Sequence, residues 1–245
     1  QNPTGTTFRK EELEAICDMV IEENKRRGDG QKKLYVMYDQ MYWHLTYAGI
    51  KHYNPVSLRY EMRDYTIFID AISKVFAATG VRVGWGMGPA PVISKMKAIL
   101  THIGSWAPMA EQKAVAYYLG NRDGIKKYLA NFKSEIEERL RRIYNGFTLL
   151  KNEGLPVDAI TPEAAIYLTI KIDLAGKKTT EGKVLETQSD VTAYVLNAAG
   201  LAVVPFYAFG ADRSSAWYRL SVGTCKKNEI EEMIGRLREA LKNLS

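Results

Sequence analysis

An apolar, β-branched run, Tyr65-Thr-Ile-Phe-Ile69, predicts a buried strand. Lys74 arrives a few residues later, just before a Thr79-Gly80 turn and a second short strand around Val81 to Met87. That spacing sets the amine at a strand's carboxyl end, the edge at which open α/β sheets bind ligands. An amine partly withdrawn from water there can act as a nucleophile toward carbonyls. A lone lysine after a strand is more often a solvated loop charge, so the weight of this one rests on what else the chain carries.

The periodicities on either side complete an α/β pattern. Leu13, Ile16, Cys17, Val20 and Ile21 recur at helical spacing and predict a helix from about Lys10 to Arg27, stopped at Gly28. Leu34 to Tyr38 reads as a strand closed by Asp39, and the aromatic stretch from Trp43 to Tyr53 as a loop. Two helices, Pro91 to Ile103 and Pro108 to Leu119, precede the longest periodic element. There Ile125, Leu129, Phe132, Ile136, Leu140, Ile143, Phe147 and Leu150 advance by threes and fours, and so long a helix commonly bridges two domains. The expected organisation is a first domain over 1–124 and, over 125–245, the long helix with a small α+β domain. In the latter, Ile166, Leu168, Ile170 and Ile172 alternate with more polar residues as in a half-buried strand. A helix from about Ser189 to Ala199, short strands at Leu201 to Pro205 and Ala216 to Val222, and a last helix opened by a cap-like Asn228-Glu-Ile-Glu231 follow.

Composition narrows the chemistry. At 245 residues with 46% hydrophobic content there is ample material for packed cores. The formal charge of +6 suits an anionic ligand, but the basic pairs are spread along helices and form no aromatic-interleaved stripe, so no nucleic-acid partner is expected. Cys17 and Cys225 read as two buried thiols of a reducing cytosol, and the three histidines lack metal-site spacing, so no metal is expected. The longest apolar stretch, Ala198 to Ala211, is interrupted by Gly200, Pro205 and Gly210 and is too short to span a bilayer, which leaves no membrane partner. Gly80, Gly84, Gly86 and Gly88 do not make the G-x-G-x-x-G of a dinucleotide site.

Four motifs occur in order: Asn2-Pro3-Thr4-Gly5; Tyr38-Asp39-Gln40-Met41-Tyr42; Ser73-Lys74 with Arg82 eight positions on; and Tyr218-Arg219-Leu220-Ser221. Together they resemble the pyridoxal-phosphate enzymes of fold type I, specifically the class I/II aminotransferases of the aspartate aminotransferase family, over essentially the whole chain. The resemblance implies part of a large, mostly parallel-sheet domain followed by the small α+β domain. It implies a Schiff base between Lys74 and pyridoxal 5'-phosphate, Asp39 paired with the ring nitrogen, and Tyr42 and Asn2 at the cofactor's phenolic oxygen. Ser73 and Arg82 would hold the phosphate, and Arg219, with Asn2 beside it, the substrate α-carboxylate. One departure is visible: Ala71 stands where family members often carry a further phosphate-binding serine.

By the same resemblance the substrates are an amino acid, aspartate-like, and a 2-oxo acid, and the site is built in a cytoplasmic homodimer. The opening at Gln1, next to a motif that lies well inside the family's large domain, suggests the C-terminal part of a longer enzyme, with little activity alone. Two alternatives stay open: another reaction on the same scaffold, such as a β-lyase, decarboxylase or synthase, and a non-catalytic effector-sensing module.

Overall fold

Apolar positions at helical spacing give α1 (Lys10–Arg27), which buries Leu13, Cys17, Val20 and Ile21 and stops at Gly28, whose positive φ ends the helix. In the computed structural model, which describes all residues 1–245, the chain divides into two compact units, Thr7–Asn131 and Gln1–Thr6 with Phe132–Ser245.

The first unit continues with β1 (Val36–Asp39), α2 (Pro55–Leu58), β2 (Thr66–Ala71), β3 (Gly84–Met87), α3 (Ala90–Ile103) and α4 (Met109–Leu119). Its sheet has the order β1-β2-β3, with β1 and β2 parallel and β2 and β3 antiparallel. The expectation of a mostly parallel sheet is therefore corrected: this sheet is mixed. The reason is local. The 12 residues between Ala71 and Gly84 form no crossover helix to carry the chain back for a parallel return. The chain turns back through a 3-10 turn at Thr79–Val81 and Arg82 in the left-handed region at φ 60°, so the strand begins later than the predicted Val81. One side of this unit packs α1 and Met62 against Leu34, Val36, Tyr38 and Tyr53. A second cluster, Ile72, Val83 and Val115, gathers Phe76 and Trp85.

α5 (Arg122–Asn152) runs through the division between the units. Within the second unit its buried stripe is Ile136, Leu140, Ile143, Phe147 and Leu150, the predicted positions. There follow β4 (Val157–Ala159), β5 (Tyr167–Ile172), α6 (Gln188–Ala199), β6 (Val204–Pro205), β7 (Trp217–Ser221) and α7 (Ile230–Lys242). The sheet is antiparallel with the order β4-β5-β7-β6. α5 and α7 approach closely at Gly146, where an added Cβ would lie 2.6 Å from Ile234, and Lys227 bridges Glu135 and Glu138 beside them. The last helix starts later than its cap-like sequence suggests, because Lys227–Glu229 forms a 3-10 turn first.

β5 is not half-buried as its alternation predicts: every residue except Lys171 is buried. The N-terminal segment covers the face that the pattern leaves to water. Thr169 donates its hydroxyl to the Thr4 carbonyl at 2.7 Å, and the Gly5 carbonyl accepts from the backbone of Glu163 and Ala164. Gly5 has φ +71°, and a Cβ there would fall 2.3 Å from the Tyr167 carbonyl oxygen. We therefore expect Gly5→Ala to destabilise the complete protein by at least ~2 kcal/mol, from left-handed strain plus a backbone clash. A denaturant midpoint equal to that of the unmodified protein would contradict this packing. Cys17 is buried as expected, but Cys225 is only partly so, because it precedes α7 rather than lying within a strand or helix.

Candidate active site

In the first unit, the parallel strands deliver two chemically useful groups at their carboxyl ends. β1 ends on Asp39, whose Oδ1 accepts from the Met41 backbone N–H at 3.0 Å; the side chain is exposed and pairs with no cation. Tyr42, in the turn that follows, is 4% exposed. Lys74 stands three residues beyond the end of β2, in a turn where its carbonyl accepts from Ala77 N at 3.1 Å. The residue is half-buried, and its side chain makes no hydrogen bond or ion pair within the protein. Register brings these ends together: Asp39 lies opposite Ile69, and Gln40 N donates to the Ile69 carbonyl at 3.0 Å.

Ser73 and Arg82 line a cavity of about 730 Å³, together with Ala71, Gly84, Trp85 and Trp106. Arg82 commits one guanidinium nitrogen to the Thr79 carbonyl at 2.7 Å and has no carboxylate partner. A free edge of a guanidinium beside a hydroxyl suits a phosphate. Lys74, Asp39 and Tyr42 are not among the residues that line this cavity.

In the second unit, Arg219 lies in β7, between β5 and β6, and donates from one terminal nitrogen to Asn2 Oδ1 at 2.8 Å. Tyr167 of β5 and Phe209 set their ring centroids 4.5 Å and 4.7 Å from the guanidinium carbon. Aromatic faces against the cation hold its plane and leave its edge for acceptors. The structure thus joins Asn2 to Arg219 in one unit, while Asp39, Tyr42, Ser73, Lys74 and Arg82 belong to the other, where only Ser73 and Arg82 share a cavity. Sequence reasoning did not find Tyr167 and Phe209. Phe209 ends the 3-10 turn that follows β6, ten residues before Arg219 in the chain, so nothing local announces its partner.

Sequence reasoning also passed over Asp70 and His52. His52 packs against Tyr38 and Trp43, with ring centroids 6.0 Å and 6.3 Å away, and both of its ring nitrogens are buried without a hydrogen-bond partner. Burial, helped by neighbouring His44, pushes its imidazole down to about 4. The folded protein then keeps His52 neutral while an unfolded chain protonates near pH 6.5, so its contribution to stability is complete above about pH 6.5 and is lost as the pH falls toward 4. An NMR titration should show no charging of this ring between pH 8 and 5; a midpoint near 6.5 would refute the buried, unpartnered placement.

No group of three or more His, Cys, Asp or Glu side chains could hold a metal ion, and no helix is long and apolar enough to cross a membrane. The donor set fits pyridoxal phosphate on chemical grounds. An unpartnered amine meets an aldehyde, a carboxylate a pyridine nitrogen, and Ser73 with Arg82 a phosphate.

Residues 1–237 match the family model described as aminotransferase class I and II. The chain is 30% identical over 237 residues to the "Probable aspartate/prephenate aminotransferase" of Rhizobium leguminosarum, covering 96% of this chain and 54% of that protein. It is 29% identical to the aspartate aminotransferase of Rhizobium meliloti, covering 100% and 55% respectively. The crystal structure of the aspartate aminotransferase from Rhizobium meliloti superposes with a TM-score of 0.86 at 26% identity, over 100% of this chain and 57% of that one. An aromatic aminotransferase from Pyrococcus horikoshii gives 0.82 at 28%, over 98% and 57%. The chain spans about half the length of the curated relatives it matches. With a family model matched over 1–237, this chain belongs to the class I and II aminotransferases.

Proposed function

We propose that the complete protein is a pyridoxal-phosphate-dependent aminotransferase that moves an amino group between an aspartate-like amino acid and a 2-oxo acid. The observation that carries this reading is the half-buried Lys74, its side chain without a hydrogen-bond or ion-pair partner, three residues past the carboxyl end of β2, the strand that pairs in parallel with the β1 that ends on Asp39. Pyridoxal phosphate, when bound, supplies an aldehyde carbon that takes up the amino group and a ring that accepts the electrons left at the substrate α-carbon. Lys74 would hold the aldehyde carbon until the incoming amino acid displaces it, and its freed amine would then carry the proton from the substrate α-carbon. Asp39 would keep the pyridine nitrogen protonated, because an adjacent carboxylate favours the charged form. Tyr42 and Asn2 would donate to the phenolic oxygen, Ser73 and Arg82 would grip the phosphate, and Arg219 the substrate α-carboxylate.

The preference for an aspartate-like side chain is supported by relatives named as aspartate and aspartate/prephenate aminotransferases. The same reading takes 1–124 as part of the large cofactor domain and 125–245 as the linking helix and a small α+β domain. It places the enzyme in the cytoplasm as a homodimer, and it assigns little activity to these 245 residues alone. The test is product analysis of the complete protein supplied with the cofactor, aspartate and 2-oxoglutarate. Oxaloacetate and glutamate in equal amounts support transfer; alanine with carbon dioxide, or fumarate with ammonia, and no glutamate would instead show a decarboxylase or a lyase.

A further inference from the structure

Asp70 is a carboxylate in an unusual place. It is 7% exposed, it occupies the penultimate position of β2 four residues before Lys74, and it belongs to none of the roles above. Three donors converge on it: Ala71 N at 2.8 Å on one oxygen, and Trp43 Nε1 at 3.1 Å with Gln40 Nε2 at 3.3 Å on the other. Every one is an N–H, so the arrangement is matched to an ionised acceptor. Burial pushes its carboxyl up, and these donors oppose that shift. Nothing about β2 itself requires a charge there, since a buried carboxylate without partners is costly.

Two of the three donors come from one segment. Gln40 and Trp43 flank Met41 and Tyr42 in the turn that leaves β1 immediately after Asp39. Local hydrogen bonds also hold that turn, Met41 N to Asp39 Oδ1, Trp43 N to the Gln40 carbonyl and Leu45 N to the Tyr42 carbonyl, as does a backbone bond from Gln40 N to the Ile69 carbonyl. The register pairs of β1 and β2 end at Asp39 opposite Ile69, and beyond the Gln40 backbone bond the side chains of Gln40 and Trp43 carry the connection to β2 on.

We propose that Asp70 is a positioning residue, a buried carboxylate that ties the Asp39–Trp43 turn to the end of β2 and so fixes Asp39 and Tyr42 relative to Lys74. The inference rests on the aminotransferase reading for what those three residues do. It goes beyond that reading in assigning the precision of the site to a carboxylate that lines the same cavity as Ser73 and Arg82 but to which that reading gives no contact with cofactor or substrate. The clamp acts on the chemical step and leaves the α-carboxylate grip at Arg219 untouched.

The test uses the complete protein loaded with pyridoxal phosphate. Asp70→Leu removes the acceptor, and Asp70→Asn keeps one carbonyl oxygen for Trp43 and Gln40. The expected result is a fall in kcat of about tenfold to a hundredfold for Asp70→Leu, as misplacement of reacting groups produces, with a smaller fall for Asp70→Asn and KM within about twofold for both. The emission of Trp43, isolated as the difference from a Trp43→Phe protein, should shift in Asp70→Leu and much less in Asp70→Asn. Should Asp70→Leu fail to fold, the double variant Gln40→Leu, Trp43→Phe leaves the carboxylate its Ala71 bond and severs only the tie between strands; the same loss confined to kcat is expected. Unmodified protein that transfers amino groups, with folded variants that keep full kcat, would overturn the clamp alone. Unmodified protein that transfers none would overturn the aminotransferase reading and the clamp with it.

Discussion

Replacing Lys74 with alanine in the complete protein should lower amino-group transfer by at least about 10²–10⁴-fold, the range that loss of a positioned proton-transfer group alone produces. The loss should be larger if the covalent hold on the aldehyde is also essential. The argument is local. Lys74 is half-buried at the carboxyl end of a parallel strand, and no carboxylate neutralises its amine or competes for its hydrogen bonds. The variant should remain folded, because the core near the turn is made by Ile72, Val75 and Val83 rather than by Lys74. Added pyridoxal phosphate should no longer give an absorbance band that sodium borohydride fixes to the protein. Full turnover without this amine would remove the basis for the functional assignment.

Arg219→Lys should act differently, raising KM for the amino acid while kcat changes less. Breaking a paired, partly desolvated charge contact costs about 2–5 kcal/mol, or tens- to thousands-fold in binding. Lysine keeps the charge but loses the planar fork that a carboxylate meets with two parallel bonds. It also loses the flat contact with Tyr167 and Phe209 and the bond to Asn2 Oδ1. Steady-state kinetics with aspartate as the varied substrate will separate the two effects. A lysine variant with unchanged KM would mean that the α-carboxylate is bound elsewhere.

Much of this molecule was legible before any coordinates. The helical stripes of α1 and α5 follow from apolar spacing, and α1 ends at the predicted Gly28. Lys74, Asp39 and Arg219 were visible because each stands in a short motif tied to a predicted strand. What escaped were contacts between residues far apart in sequence. Asp70 follows the apolar Tyr65–Ile69 run with no local sign of a role, and only the parallel register of β1 and β2 shows that Trp43 and Gln40 reach it. Phe209 gave no sign of facing Arg219.

Periodicity, glycine stops and the ordered motifs determined which segments become helices and strands and which side chains carry the chemistry, because those are properties of a few neighbouring residues. Strand direction, the burial of β5 on both faces and the partners of Asp70 and Arg219 were decided only by the tertiary structure. Each depends on which distant backbone lies alongside: β3 returning antiparallel after a short turn, and Thr4 with Gly5 covering a face that alternation alone would leave to water.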